Sequence, residues 1–66
     1  MLTSREIEVL RRVAKGMAYK EIADELFVSH RTVQNHVQNV LRKLQLHNRV
    51  ELTLYAIDKG FHDPNE

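Results

Sequence analysis

The sequence predicts an all-α fold: a four-helix bundle whose second and third helices form a helix-turn-helix. Three observations predict it. Apolar residues recur at three- and four-residue spacing along much of the 66-residue chain. Residues that cap a helix (Thr3, Ser29, Asn48) stand in front of these stripes, and Gly16 and Gly60 stand behind two of them. Between residues 19 and 44 the pattern reads as a short helix, a tight turn and a longer helix.

The first helix opens at Thr3-Ser4-Arg5-Glu6, a T-x-x-E capping box with Leu2 and Ile7 placed as a hydrophobic staple. Ile7, Leu10, Val13, Ala14 and Met17 form its apolar stripe, and Gly16 stops it. Arg5, Glu8, Arg11, Arg12 and Lys15 form a solvated face, with Glu8 and Arg12 at favourable i, i+4 spacing. A second helix is expected from Tyr19 to Leu26, with Ile22, Ala23 and Leu26 inward. Ala18 is a poor cap for it. Ala23 is small where two helices must approach closely. Phe27-Val28-Ser29 makes the turn, and the Ser29 hydroxyl caps the third helix at the Thr32 N–H.

That third helix, SHRTVQNHVQNVLRKL, organises the chain. At about 100° per residue, Val33, Val37, Val40 and Leu44 share one side, with Leu41 at its edge. Arg31, Asn35, Gln38 and Arg42 share the other, flanked by Gln34 and Asn39. The first set is a core stripe. The second carries the guanidinium and carboxamide groups that match base edges and phosphates in a DNA major groove. A connector, Gln45 to His47, leads to a second box in form, Asn48-Arg49-Val50-Glu51, and to a fourth helix reaching about Lys59. This helix has two apolar sides. Val50, Leu54 and Ile57 make one; Leu52, Tyr55 and Ala56 make the other. One closes the core over helices 1 and 3. The other, taken as Leu52, Tyr55 and Ala56, is expected to be a partner surface or to cover core edges or another domain.

Length and charge set the bounds. The chain is one small domain, residues 1–61, with a polar tail at 62–66. So short a chain buries a modest core, and its stability leans on helix caps or on pairing. Without cysteine there are no disulfides and no thiolate metal sites, which fits a cytoplasmic protein. No apolar run approaches the roughly 20 residues of a membrane span. The formal charge is only +1, yet no acidic residue lies between Leu26 and Val50, where Arg31, Arg42, Lys43 and Arg49 stand. A near-neutral protein can therefore present one basic surface.

With these residues placed, the chain resembles the LuxR/NarL/FixJ-type helix-turn-helix domain of bacterial transcription regulators. The likeness runs through LTSREIEVL, KEIADEL, VSHRTVQNHVQNVLRKL and RVEL with the following helix, in matching spacing. It implies a four-helix, C-terminal effector-like domain whose third helix enters the major groove and whose fourth commonly pairs two copies. It also implies an effector domain excised from behind a receiver or ligand-sensing domain, or a small free-standing member. The chain departs from the family's pattern in two places. Ala18-Tyr19 replaces the frequent Ser/Thr-Asn, and Gln34 replaces a frequent lysine. Weaker general DNA affinity and a different base preference are expected.

The candidate base contacts are Gln34, Asn35 and Gln38, set against the alternative of an ordinary solvated face. The candidate phosphate contacts are Lys20, Arg31, Thr32, Arg42 and Lys43, with surface solubility as the alternative for Lys43 in particular. The candidate dimer interface is Leu52, Tyr55 and Ala56. No metal site is expected: His30 and His36 do not share a helix face, and His47 and His62 lie in a connector and the tail. His36 is expected to make a structural hydrogen bond. Ser29 beside His30 lacks a third group, so no enzyme chemistry is expected. The sequence thus predicts a regulator's double-stranded-DNA-binding domain, homodimeric on DNA and reaching RNA polymerase indirectly, with no cofactor, membrane or small-molecule ligand. A sigma-factor promoter-reading region and a helical protein-interaction module are the alternatives; RVEL and the two-faced fourth helix argue against the former.

Overall fold

A computed structural model describes residues 1–61. They form α1 (Ser4–Ala14), α2 (Tyr19–Leu26), α3 (His30–Leu44) and α4 (Arg49–Asp58). The expected tail, His62 included, lies outside the described residues.

The caps explain the boundaries. At α1, Thr3 Oγ1 accepts from the Glu6 N–H at 3.1 Å, and Glu6 Oε1 accepts from the Thr3 N–H at 2.8 Å. Both halves of the capping box are made. The helix ends where Gly16, at φ 84°, turns left-handed; the Gly16 and Met17 N–H groups return to the Val13 and Arg12 carbonyls. Ala18 gives α2 no side-chain cap, but Glu21 Oε1 accepts from the Ala18 N–H at 2.8 Å, so half a box suffices. Ser29 caps α3 through the Thr32 N–H at 3.0 Å. Asn48 caps α4 through the Glu51 N–H at 3.0 Å. The return arm of that second box is displaced by one residue: Glu51 Oε1 accepts from the His47 N–H, not from Asn48. This bond is the main reason the Glu51 carboxyl sits below its ordinary pKa.

The core forms around α1, which packs against each of the other three helices, while α2 packs on α3. A helix covered by three neighbours buries a wider arc than its simplest stripe. Val9, Leu10, Val13 and even Glu6 are buried, whereas Ile7 is only half-buried. From α3, Val33, Val37, Val40 and Leu41 are buried and Leu44 is half-buried, the reverse of the order expected for the two leucines. Ala23 is buried on α2, the helix packed on α3, as its small size anticipates.

Two expectations about α4 are corrected. Leu52 and Ala56 are 1% and 0% exposed, so they are core and not a partner surface. Val50, Leu54 and Ile57 are the outward face, at 68%, 63% and 48% exposure. Tyr55 is half-buried at the flank, with the Lys59 ammonium 5.9 Å from its ring centroid. The physical reason is that α4 packs mainly on α1. Ala56, one turn after Leu52, allows that close approach, which the bulkier Leu54 and Ile57 would hold apart. Arg12 is also corrected. It is no free solvated charge: its Nε binds Glu25 Oε1 at 2.8 Å, tying α1 to α2, while Nη1 donates to the Glu8 carbonyl.

Candidate functional site

The 15 residues of α3 put their valines inward, so helical geometry turns Arg31, Gln34, Asn35 and Gln38 outward. All four are exposed. They share one concave surface with Tyr19, from the first turn of α2. The three expected base-reading amides are thus brought together beside one of the expected phosphate-binding arginines. Not one of these five side chains carries a carboxylate, and the first turn of α3 has no acidic residue. A surface of donors, acceptors and one guanidinium, free of anionic repulsion, can meet a polyanion.

The other expected phosphate contacts are spread around it. Lys20 is exposed beside Tyr19 at the start of α2. Arg42 is exposed near the end of α3, with Nη1 3.3 Å from Asn39 Oδ1. Thr32 is half-buried and bonded to Ser29, the two hydroxyls 2.9 Å apart. Its first role is to close the α3 cap.

Lys43 is a correction. Its Nζ lies 2.8 Å from Glu6 Oε1 and 3.4 Å from the Met1 carbonyl. Glu6 is almost wholly buried, and its carboxyl is held below the ordinary glutamate pKa, first by the Lys43 hydrogen bond and then by the Thr3 N–H. Lys43 therefore serves the interior, on the side of α3 away from the amides. The flank position of residue 43, beside half-buried Leu44, was legible in the sequence; its partner Glu6 was not.

His36 is half-buried, and among the described residues its side chain makes no hydrogen bond, so the expected structural bond is not formed. His47 Nδ1 stands 3.2 Å from Glu51 Oε1 on the surface. Among the described residues no three His, Asp or Glu side chains gather as a metal set, and no helix is long and apolar enough to cross a membrane.

Two residues matter more than the sequence indicated. Arg49, at the start of α4, lays its guanidinium 4.8 Å from the Tyr19 ring centroid and donates through Nη2 to the Met17 carbonyl. Tyr19 also meets the His30 ring, centroids 6.1 Å apart at 50°. These contacts fix the α1–α2 connection, α2, α3 and α4 around one aromatic ring. An aromatic next to Lys20 in the first turn of α2 was visible in the sequence; the long-range arginine over it was not.

The comparisons with known proteins agree with this geometry. Residues 1–56 match the family described as bacterial regulatory proteins, luxR family. A nitrate/nitrite response regulator protein homolog from Haemophilus influenzae is 51% identical over 59 residues, covering 89% of this chain and 28% of that protein. The oxygen regulatory protein NreC of Staphylococcus carnosus is 44% identical over 63 residues, 96% of this chain and 29% of its own length. The transcriptional regulatory protein LiaR of Bacillus subtilis is 44% identical over 55 residues, 83% of this chain and 26% of that one. The chain thus spans under a third of the length of each of these three relatives. Four helices without a strand among the described residues, a helix-turn-helix with its amide-bearing face outward and this family match lead to one assignment: the chain belongs to the luxR family of bacterial regulatory proteins, as a DNA-binding domain of that family.

Proposed function

We propose that the domain binds double-stranded DNA sequence-specifically, with α3 in the major groove and two copies paired on a two-fold-related site. The observation that carries this reading is the acid-free concave surface of Arg31, Gln34, Asn35 and Gln38. Carboxamides pair in bidentate fashion with adenine N6 and N7, so half-sites containing A·T pairs are expected. Arg31, Arg42 and Lys20 supply phosphate contacts, which set register without reading bases. Lys43, bound to Glu6, and Thr32, engaged in the α3 cap, are left out of that set. Pairing is assigned to the outward face of α4, Val50, Leu54 and Ile57, in place of the buried one. The relatives' names, response regulator and transcriptional regulatory protein, support a role as the effector part of a cytoplasmic regulator that acts on RNA polymerase indirectly through promoter occupancy. The domain's own work is occupancy, with no bond made or broken.

Selection of bound duplexes from a random pool tests the reading. The wild-type domain is expected to return a two-fold-related motif. Asn35→Ala and Gln38→Ala are each expected to relax one or two base positions, with a loss of about 1–3 kcal/mol at the affected pair. Uniform weakening across all sequences would remove direct readout, and no binding even at low salt would leave a protein-interaction module.

A further inference from the structure

We propose that Tyr19 is a DNA-backbone contact: its phenol hydroxyl donates to a phosphate oxygen at the rim of the groove, and Arg49 is the positioning residue that holds the ring there. The proposal rests on the DNA-binding reading above. Tyr19 is the only residue of that concave surface that comes from α2. In a helix-turn-helix the helix preceding the reading helix crosses the sugar-phosphate backbone, so its first turn faces phosphates and not base edges. Tyrosine hydroxyls are among the groups that bond phosphate oxygens.

The ring is half-buried, yet the structure gives it no polar anchor of its own. Among the described residues the phenol hydroxyl has no hydrogen-bond partner. The ring is instead fixed by its π-face and edge, with the Arg49 guanidinium 4.8 Å from its centroid and His30 beside it. Arg49 is itself tethered to the Met17 carbonyl, so the cation cannot easily leave. A ring held in this way has little rotamer freedom to lose on binding, which makes a single neutral hydrogen bond count for more.

The test measures affinity for a selected site and for a random duplex, each across a salt series, with wild type, Tyr19→Phe, Arg49→Met and the double variant. Tyr19→Phe keeps the ring and its cation contact and removes only the hydroxyl. It is expected to weaken binding roughly three- to tenfold. The loss should be equal on both duplexes, with the base motif, the thermal midpoint and the salt slope unchanged, because a neutral donor releases no counterion. Arg49→Met is expected to weaken binding in the wild-type background and to add nothing once the hydroxyl is gone, a coupling that a merely structural role would not produce. Equal affinity of Tyr19→Phe and wild type overturns the contact, and so does a changed preference at one base pair, which would mean base readout. An Arg49→Met loss that persists in the Tyr19→Phe background overturns the positioning role. If wild type binds neither duplex, the DNA reading itself fails; if wild type binds and Tyr19→Phe binds as well, only the Tyr19 contact fails.

Discussion

Glu6 is 3% exposed, and a carboxylate in that position costs several kcal/mol unless its oxygens are satisfied. Two donors converge on one of them: the Thr3 N–H and the Lys43 ammonium are both 2.8 Å from Oε1. Together they outweigh the desolvation and hold its pKa below the ordinary glutamate value. A depressed carboxyl pKa means stability that is fully present above the unfolded value, about 4.3, and lost as pH falls through the folded one. Lys43→Met strands the buried charge. It is expected to cost about 1–3 kcal/mol at neutral pH, in the lower range because Lys43 is itself partly solvated. The deficit should shrink at acid pH, as Glu6 takes a proton in the variant and has no charge left to strand. Glu6→Gln should cost less, since its amide oxygen still accepts from Thr3 and the lysine can turn to water. Urea titrations at the two pH values check this, and a deficit that does not change with pH would show that Lys43 acts by packing alone. The partnership was illegible in the sequence for a plain reason. Positions 6 and 43 are linked by no periodicity, and a lysine in the last turn of a basic helix reads as surface until the fold delivers its partner.

Among whole elements, starts and ends were both legible, for different reasons. N-caps are local: Thr3, Ser29 and Asn48 each bond an N–H three residues on, so residue type and spacing carry the signal. The ends of α1 and α4 were legible because Gly16 and Gly60 take φ 84° and 77°. The ends of α2 and α3 use the same left-handed turn without glycine, at Phe27 (φ 57°) and Gln45 (φ 58°). The Val28 and Leu46 N–H groups close those turns on the Ala23 and Leu41 carbonyls. A side chain in this region costs about 1–2 kcal/mol. Phe27 is 94% exposed, so it recovers almost none of that by packing. Phe27→Gly and Gln45→Gly are each expected to stabilise the domain by about 0.5–1 kcal/mol, the strain relieved less the entropy that glycine adds to the unfolded chain. Gly16→Ala should do the opposite by about 1 kcal/mol, and for backbone reasons alone, since nothing lies within 4 Å of the added carbon. Thermal melts of the three variants decide it; a destabilised Phe27→Gly would mean that the entropy glycine adds to the unfolded chain outweighs the strain it relieves.

For the molecule as a whole, the proposed pairing turns on which side would face a second copy. Periodicity found both apolar faces of α4 but could not rank them, because burial depends on which helix arrives from elsewhere in the chain. The fold ranks them. Packing on α1 takes Leu52 and Ala56, and Val50, Leu54 and Ile57 remain in water. Three aliphatic side chains on one exposed helix face suit an isologous contact, in which the same patch serves both copies. The proposed two-fold pairing would set the half-sites about 34 Å, one helical turn, apart. The domain spans 28 Å along its longest axis, so two copies side by side can meet that spacing without a linker. Leu54→Glu puts like charges face to face at that contact and removes no core group. It is expected to melt with wild type and to bind a single half-site unchanged. On a two-fold site it should lose the cooperative gain, about tenfold or more in overall affinity. Leu52→Glu, by contrast, buries a charge in the core and should unfold the domain at any DNA concentration. Binding curves on duplexes with one and two half-sites separate the cases. If Leu54→Glu kept full cooperativity, pairing through α4 would be wrong and the exposed stripe would need another partner.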